Sequence, residues 1–280
     1  MTWTLSDSLE EFRARAADHL AAHPVQNTVL LTIVDRLAAG GPAGGDPALP
    51  PLFGWWRPAA GAPVAGAWVQ TRPQPVQLSR MPIEAAVELA AVLPAGELSG
   101  ISGEVATAEA FAAAWSERTG AVTEPHESRR LYRLGELSPP SVAGRLRLAG
   151  EDDRELVVRW FTAFAVDAGV RLQGIERIAA RRLAAEEMWL WEDGGRAVAM
   201  AAASPVLAGM SRIGPVYTPV ERRGNGYASA ATAGVSQLAR ERGAAEVLLF
   251  TDLANPVSNS IYQKIGYRPV EDGASLDFRY

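Results

Sequence analysis

The chain has no cysteine among its 280 residues, which excludes disulfides, thiolate metal sites and a cysteine nucleophile. Histidine is nearly as scarce. His19, His23 and His126 are too scattered to define a metal centre, and surface or capping roles suit them better. A cationic face is missing too: the 27 basic residues are spread along a chain of net charge −5, which argues against a nucleic-acid partner. The uncharged run 197–210 is shorter than a bilayer span and contains Pro205. Residues 1–12 are acidic early and carry no apolar signal segment. These absences describe a soluble, cytoplasmic protein without membrane or nucleic-acid partners. Oligomeric state is not written in the sequence.

What is present is apolar mass. A content of 48% hydrophobic residues supports either one large domain or two of ordinary size. Apolar spacing predicts helices over 6–20 and 26–37, followed by a Gly- and Pro-rich stretch, 38–51, that reads as a surface loop or as a lid over a substrate. Residues 53–57 and 64–71 read as a β-hairpin, and 188–191 with 196–203 read as a second one of like length. Two helical segments precede each hairpin, and strand-helix-strand patterns follow each, so an internal duplication is expected. The first half continues with helices over 82–93 and 106–118 and strands over 98–103 and 128–134. Trp55, Trp56 and Trp68 could stack a ligand, but tryptophans in a hairpin are expected in the core. The stretch 135–144, with its prolines, marks the boundary between halves.

In the second half, Glu151, Asp152 and Asp153 cap a helix running to about Ala168. A short helix over 175–183 carries Arg177, Arg181 and Arg182, read as a solvated face or as a lure for an acidic substrate. Glu186, Glu187 and Glu192 lie on or beside the first hairpin strand, where carboxylates can border a cleft.

The most informative stretch is 213–242. A strand stops at Pro219, a glycine-bearing turn follows, and a long helix begins near Gly226. The turn, Arg223-Gly224-Asn225-Gly226-Tyr227-Ala228, places a cation and two residues without Cβ at a helix N-terminus, where unsatisfied N–H groups and the helix dipole favour phosphate. The third glycine of a dinucleotide fingerprint is absent, and so is the lysine of a P-loop. A second signal follows one helix and one strand later. Asn255 caps a helix, Pro256 fits its first position, Gly266 ends it, and Asn255, Asn259 and Tyr262 share a face.

Together these segments resemble the GNAT acetyltransferase superfamily. Arg223, Gly226 and Ala228 stand on its R/Q-x-x-G-x-G/A signature, and Val216-Tyr217-Thr218-Pro219 looks like its splayed fourth strand. Asn255, Ser258, Asn259, Tyr262, Gly266 and Tyr267 match its second coenzyme A segment, N-x-x-[SA]-N-x-x-Y-x-x-x-G-[FY]. The resemblance covers roughly 145–280 well and the first half poorly, since 78–84 stand where a phosphate turn should be and carry no such motif. It implies an α+β protein of two GNAT-like units, each a mixed, mostly antiparallel central sheet flanked by helices: a degenerate domain over 1–137, serving as scaffold or substrate wall, and an acetyl-CoA-binding domain over 144–280.

The resemblance also implies roles. Backbone amides of Arg223, Gly224, Asn225, Gly226, Tyr227 and Ala228 would hold the pyrophosphate of acetyl-CoA. Amides of Val216, Tyr217 and Thr218 would meet pantetheine and polarise the acetyl carbonyl, with Asn255, Ser258 and Asn259 completing the cofactor contacts. Tyr262 would give a proton to the departing thiolate. No carboxylate stands on 211–218, so the base is left open among Glu187, Glu221, Asp252 or water. An acyl-CoA-binding regulatory protein that transfers nothing, or a tandem interaction module, are the alternatives. The acceptor amine is not readable.

Overall fold

The computed structural model describes residues 2–40, 46, 48–94, 96, 98–169 and 174–280. The expected loop or lid at 38–51 therefore falls in part, at 41–45 and 47, outside the described residues. The alternation of strand-length apolar runs with helix-spaced stripes gives ten elements in the first half: β1 (Thr2–Ser6), α1 (Leu9–Ala22), α2 (Thr28–Ala38), β2 (Leu52–Arg57), β3 (Gly66–Gln70), β4 (Val76–Leu78), α3 (Ile83–Val92), β5 (Gly100–Glu104), α4 (Val105–Thr119) and β6 (Val122–Leu134). Ten more follow in the same order: β7 (Arg145–Leu148), α5 (Arg154–Asp167), α6 (Ile175–Ala184), β8 (Met188–Asp193), β9 (Arg196–Ala203), β10 (Met210–Tyr217), α7 (Tyr227–Glu241), β11 (Glu246–Asp252), α8 (Pro256–Lys264) and β12 (Tyr267–Arg279). The duplication expected from two matched hairpins thus extends to the full element order.

Contacts divide the chain into two units, Met1–Leu131 with Val270–Tyr280, and Tyr132–Pro269. Strand order in the first is β1-β2-β3-β4-β5 followed by β12; in the second it is β7-β8-β9-β10-β11 followed by β6. β4 pairs with β5 and β10 with β11 in parallel, while β2–β3, β3–β4, β5–β12, β8–β9 and β9–β10 are antiparallel. The last strand of each half therefore finishes the sheet of the other: Gly273 to Asp277 of β12 pair with Glu104 to Gly100 of β5. This exchange departs from a clean division at 137 and 144. A strand's pattern fixes which face is apolar but not which edge it joins.

Each sheet buries both faces, because successive strand residues point opposite ways. In the first unit Trp55 packs with Phe12, Leu30, Phe53 and Val69 on the α1/α2 side, while Trp56 and Trp68 pack with Leu89, Phe111 and Trp115 on the α3/α4 side. All three hairpin tryptophans are core residues, not ligand stackers. In the second unit Val157, Phe161, Leu190 and Met200 fill the α5/α6 side, and Ile213, Val235, Leu249 and Tyr267 the α7 side. Burial of a side chain of this size contributes about 1.5–3 kcal/mol. Asp153 stands at the N-cap of α5 but makes no capping bond to the helix's own amides; its carboxylate turns back to accept from Gly150 N at 2.9 Å and from Arg147 at 2.7 Å. The guanidinium of Arg147 keeps the Asp153 carboxyl below the usual carboxylate range. Strands β1, β4 and β12 carried no expectation from sequence.

Candidate active site

The site is built where β10 parts from its neighbour. Met210 to Ile213 pair in parallel with Glu246 to Leu249 of β11, and the ladder between the two strands ends there. Gly214, at φ +144°, interrupts the register with β9 between Ile213 and Val216. A side chain at that φ would be strained, so glycine lets the strand turn away. Val216 and Tyr217 pair again with Ala201 and Met200 of β9. Their edge toward β11 has no ladder partner among the described residues, which leaves main-chain groups facing an opening between parallel strands.

The two side chains diverge across the sheet. Val216 joins the α7-side cluster together with Tyr227 and Tyr262. Tyr217 goes to the opposite face, 6.2 Å between ring centroids from Trp160. Thr218 is buried with its Oγ1 unpartnered, while its carbonyl accepts from Arg223 Nε at 3.1 Å.

The turn after β10 keeps its expected geometry. Gly224 and Gly226 adopt φ of +82° and +78°, and Gly226 opens α7 with no side-chain cap and no acid in its first turn. The amides of Gly224 through Ser229 have no hydrogen-bond partner among the described residues, and residues 221–226 are exposed. Six neighbouring donors at the positive end of a fifteen-residue helix form a ready anion site.

Two side chains of the turn are committed elsewhere. Arg223 reaches Asp167 of α5 at 2.5 Å and lies over the ring of Tyr217 at 5.9 Å. The hydroxyl of Tyr227 donates to Asp193 at 2.6 Å, and that bond raises its pKa. Arg223 thus pins the turn through its side chain, and the donors aimed outward are those of the main chain.

Helix α8 repeats this division of labour. Asn255 Oδ1 accepts from Ser258 N at 3.0 Å, the capping bond its position predicts. Asn259 Nδ2 donates to the carbonyls of Asp252 and Asn255 at 2.9 and 2.8 Å, and its Oδ1 accepts from Tyr132 at 2.8 Å. Gln263 donates to the same Tyr132 hydroxyl at 3.0 Å. Asn259 is therefore engaged with the protein at both ends of its amide. Tyr132, fully buried and contributed by β6, braces the helix that carries Tyr262.

Tyr262 packs edge-on to Tyr267, 6.1 Å between centroids, and its hydroxyl has no hydrogen-bond partner among the described residues. Burial pushes its pKa up to about 12. Such a phenol stays protonated across the physiological range.

Of the open carboxylates, Glu221 is exposed, and Asp252 caps the turn before α8 by accepting from Ala254 N at 2.8 Å. Glu187 is 9% exposed and stands 3.8 Å from Arg182. Arg182 in turn donates to the carbonyl of Gly214 at 2.8 Å. It is not part of a solvated face, as its helix had suggested; it leaves Arg177 and Arg181 exposed and ties Glu187 to the kink in β10. Sequence gave no sign of this link, nor of Tyr132 or Asp167, because each acts across tens of residues. Among the described residues no cluster of three or more metal-ligating side chains occurs, and no helix is long and apolar enough to cross a membrane.

Comparison with known proteins adds three observations. A family model described as the acetyltransferase (GNAT) family matches residues 154–267. No curated protein matches the chain. Solved structures similar to it include a GNAT-family acetyltransferase from Colwellia psychrerythraea, with a TM-score of 0.59 at 13% identity over 100% of both chains. A Drosophila protein gives 0.65 at 14% identity over 98% and 97%, and a GCN5-related N-acetyltransferase from Sphaerobacter thermophilus gives 0.55 at 16% over 92% and 93%. At these identities the structures establish a shared fold along nearly the whole chain.

Proposed function

We propose, from the match of residues 154–267 to the acetyltransferase (GNAT) family model, that this chain moves an acetyl group from acetyl-CoA to an amine by direct attack. The reading rests on one observation above others: a run of amides from Gly224 to Ser229, unpartnered among the described residues, lies just after a strand whose edge has opened. The pyrophosphate of acetyl-CoA would take those amides. Pantetheine would run along the free edge of β10 at Val216, Tyr217 and Thr218, leaving the thioester near the kink at Gly214. Asn255 and Ser258 support this arrangement by forming the start of α8, and Asn259 by fixing the loop before it.

In the reaction the amine nitrogen attacks the thioester carbonyl carbon, the C–N bond forms, and the C–S bond breaks as the tetrahedral intermediate collapses. Main-chain N–H groups at the opened strand would stabilise the oxyanion. The amine proton leaves toward Glu187, directly or through water, and the thiolate is met by the Tyr262 hydroxyl. A phenol at about 12 is a poorer acid than a thiol of pKa near ~8.5. Tyr262 therefore keeps its proton and serves as a hydrogen-bond donor to the departing thiolate, and the proton that ends on sulfur comes from solvent.

Fixing the geometry of strand, turn and phenol donor accounts for much of the acceleration. The test is release of free CoA thiol from acetyl-CoA across polyamines, amino acids, aminoglycosides and N-terminal peptides. Turnover with at least one amine is expected, reduced about 10²-fold or more by Glu187→Gln. Binding of acetyl-CoA with no thiol release for any amine would favour the non-catalytic acyl-CoA-binding alternative.

A further inference from the structure

The first unit has a cavity of its own, about 790 Å³, lying among α1, the β2–β3 turn and the segment between β4 and α3. Its volume falls within the range typical of small-molecule sites. The charge around it runs against that of the chain: Arg15, Arg57 and Arg80 line it against a single carboxylate, Asp18, in a protein of net charge −5. None of the three guanidinium groups makes an ion pair or side-chain hydrogen bond among the described residues. Arg80 feels a carboxylate outside the lining, Glu271, whose pKa it draws downward against the larger effect of burial.

The wall is fixed. Ser79 Oγ accepts from Ala67 N at 2.8 Å and bonds His19 Nε2 at 2.9 Å, and Arg80 N donates to the buried amide of Asn27 at 3.0 Å. Burial and the neighbouring His23 lower the pKa of His19, which leaves it neutral near pH 7. The rest of the lining includes Val64, Met81 and Pro82, an apolar surface beside the cations.

We propose that this cavity binds a small organic phosphate, its anionic head on Arg15, Arg57 and Arg80 and its apolar body against Val64, Met81 and Pro82. Three guanidinium forks match a phosphate dianion better than a monocarboxylate, because each can give paired N–H bonds to oxygen. The cavity is larger than an inorganic ion requires, and its apolar wall gives a bare ion nothing to meet. The turn of the second unit offers an anion main-chain amides; this site offers side chains, so the two are separable by mutation. The inference does not depend on the proposed transferase reaction.

The experiment is calorimetric titration of the full chain with phenyl phosphate, inorganic phosphate and benzoate. Phenyl phosphate is expected to bind more tightly than either of the others. The double variant Arg57→Gln/Arg80→Gln is expected to weaken it about tenfold or more, and Arg13→Gln, on α1 outside the lining, to leave it unchanged. Unfolding curves matching the parent show that the double variant is folded, and Arg80→Lys, which keeps the charge without the fork, should fall between parent and double variant. The proposal is overturned if phenyl phosphate does not bind up to about 10 mM, if benzoate binds as tightly, or if the double variant binds as the parent does.

Discussion

The turn from β4 to α3 and the turn from β10 to α7 hold the same place in two copies of one topology, yet their main chains are spent in opposite ways. In the first, Ser79 N donates to Ala67 O at 2.8 Å and Arg80 N to Asn27 at 3.0 Å, Pro82 has no N–H to give, and Glu84 sits in the first turn of α3. In the second, two glycines in the left-handed region hold a row of amides open, and the first turn of α7 carries no acid. A carboxylate at a helix N-terminus repels the anion that the free amides of the other turn attract. On the proposed reading, competence for a diphosphate lies in a handful of turn residues, while the sheet and helices around them are kept in both copies.

The same comparison can be broken at the other end of each unit. Gly266 follows α8 at φ +108°, and a Cβ there would stand 1.9 Å from the carbonyl oxygen of Glu136. Gly120 follows α4 at φ +76° with nothing within 4 Å. Gly266→Ala is expected to cost about 4 kcal/mol or more in denaturant unfolding, because strain and a backbone clash act together. Gly120→Ala carries the left-handed strain alone and should cost about 1–2 kcal/mol. Equal effects at the two positions would mean that the segment after β6 does not press on α8 as described.

A smaller effect is expected at the phenol. Tyr262→Phe should lower kcat about 10²-fold while leaving the KM for acetyl-CoA within a factor of about two, since the ring still packs on Tyr267 and only the donor is lost. Unchanged turnover would remove Tyr262 from the chemistry.

The smallest effect is on alkaline stability. Tyr262 binds its proton more tightly folded, at about 12, than unfolded, near ~10. Between those values the unfolded chain holds fewer protons, so stability falls as pH rises, by up to about 2 kcal/mol from this group. Below pH 10 the contribution is fully present. Unfolding curves at pH 9 and 11.5 should show a steeper loss in the parent than in Tyr262→Phe; equal losses would place the phenol in contact with solvent.

Most of the architecture was legible because it rests on local pattern. Glycines at 224 and 226, the Asn255-Pro256 start and the Gly266 stop each impose a backbone conformation that short sequence stretches reveal. Exchange of the last strands was not legible: β12 carried no strand expectation, and the pattern of β6 would suit any edge. Nor was the role of Arg182: on a helix rich in arginine nothing separates the one that reaches Gly214 O from its exposed neighbours. Asn259 illustrates the middle case. Its place in the coenzyme A segment was readable, but its use in holding Tyr132 and the Asp252 carbonyl was not.

The central claim is that the amides opening α7 clasp the diphosphate of coenzyme A while those opening α3 do not. Amide hydrogen exchange followed residue by residue, with and without CoA, tests it directly. The account predicts slowed exchange at Gly224 through Ser229 on adding CoA and no change at Ser79 through Glu84. Protection confined to the first unit's turn, or absent from 224–229 at saturating CoA, would contradict it.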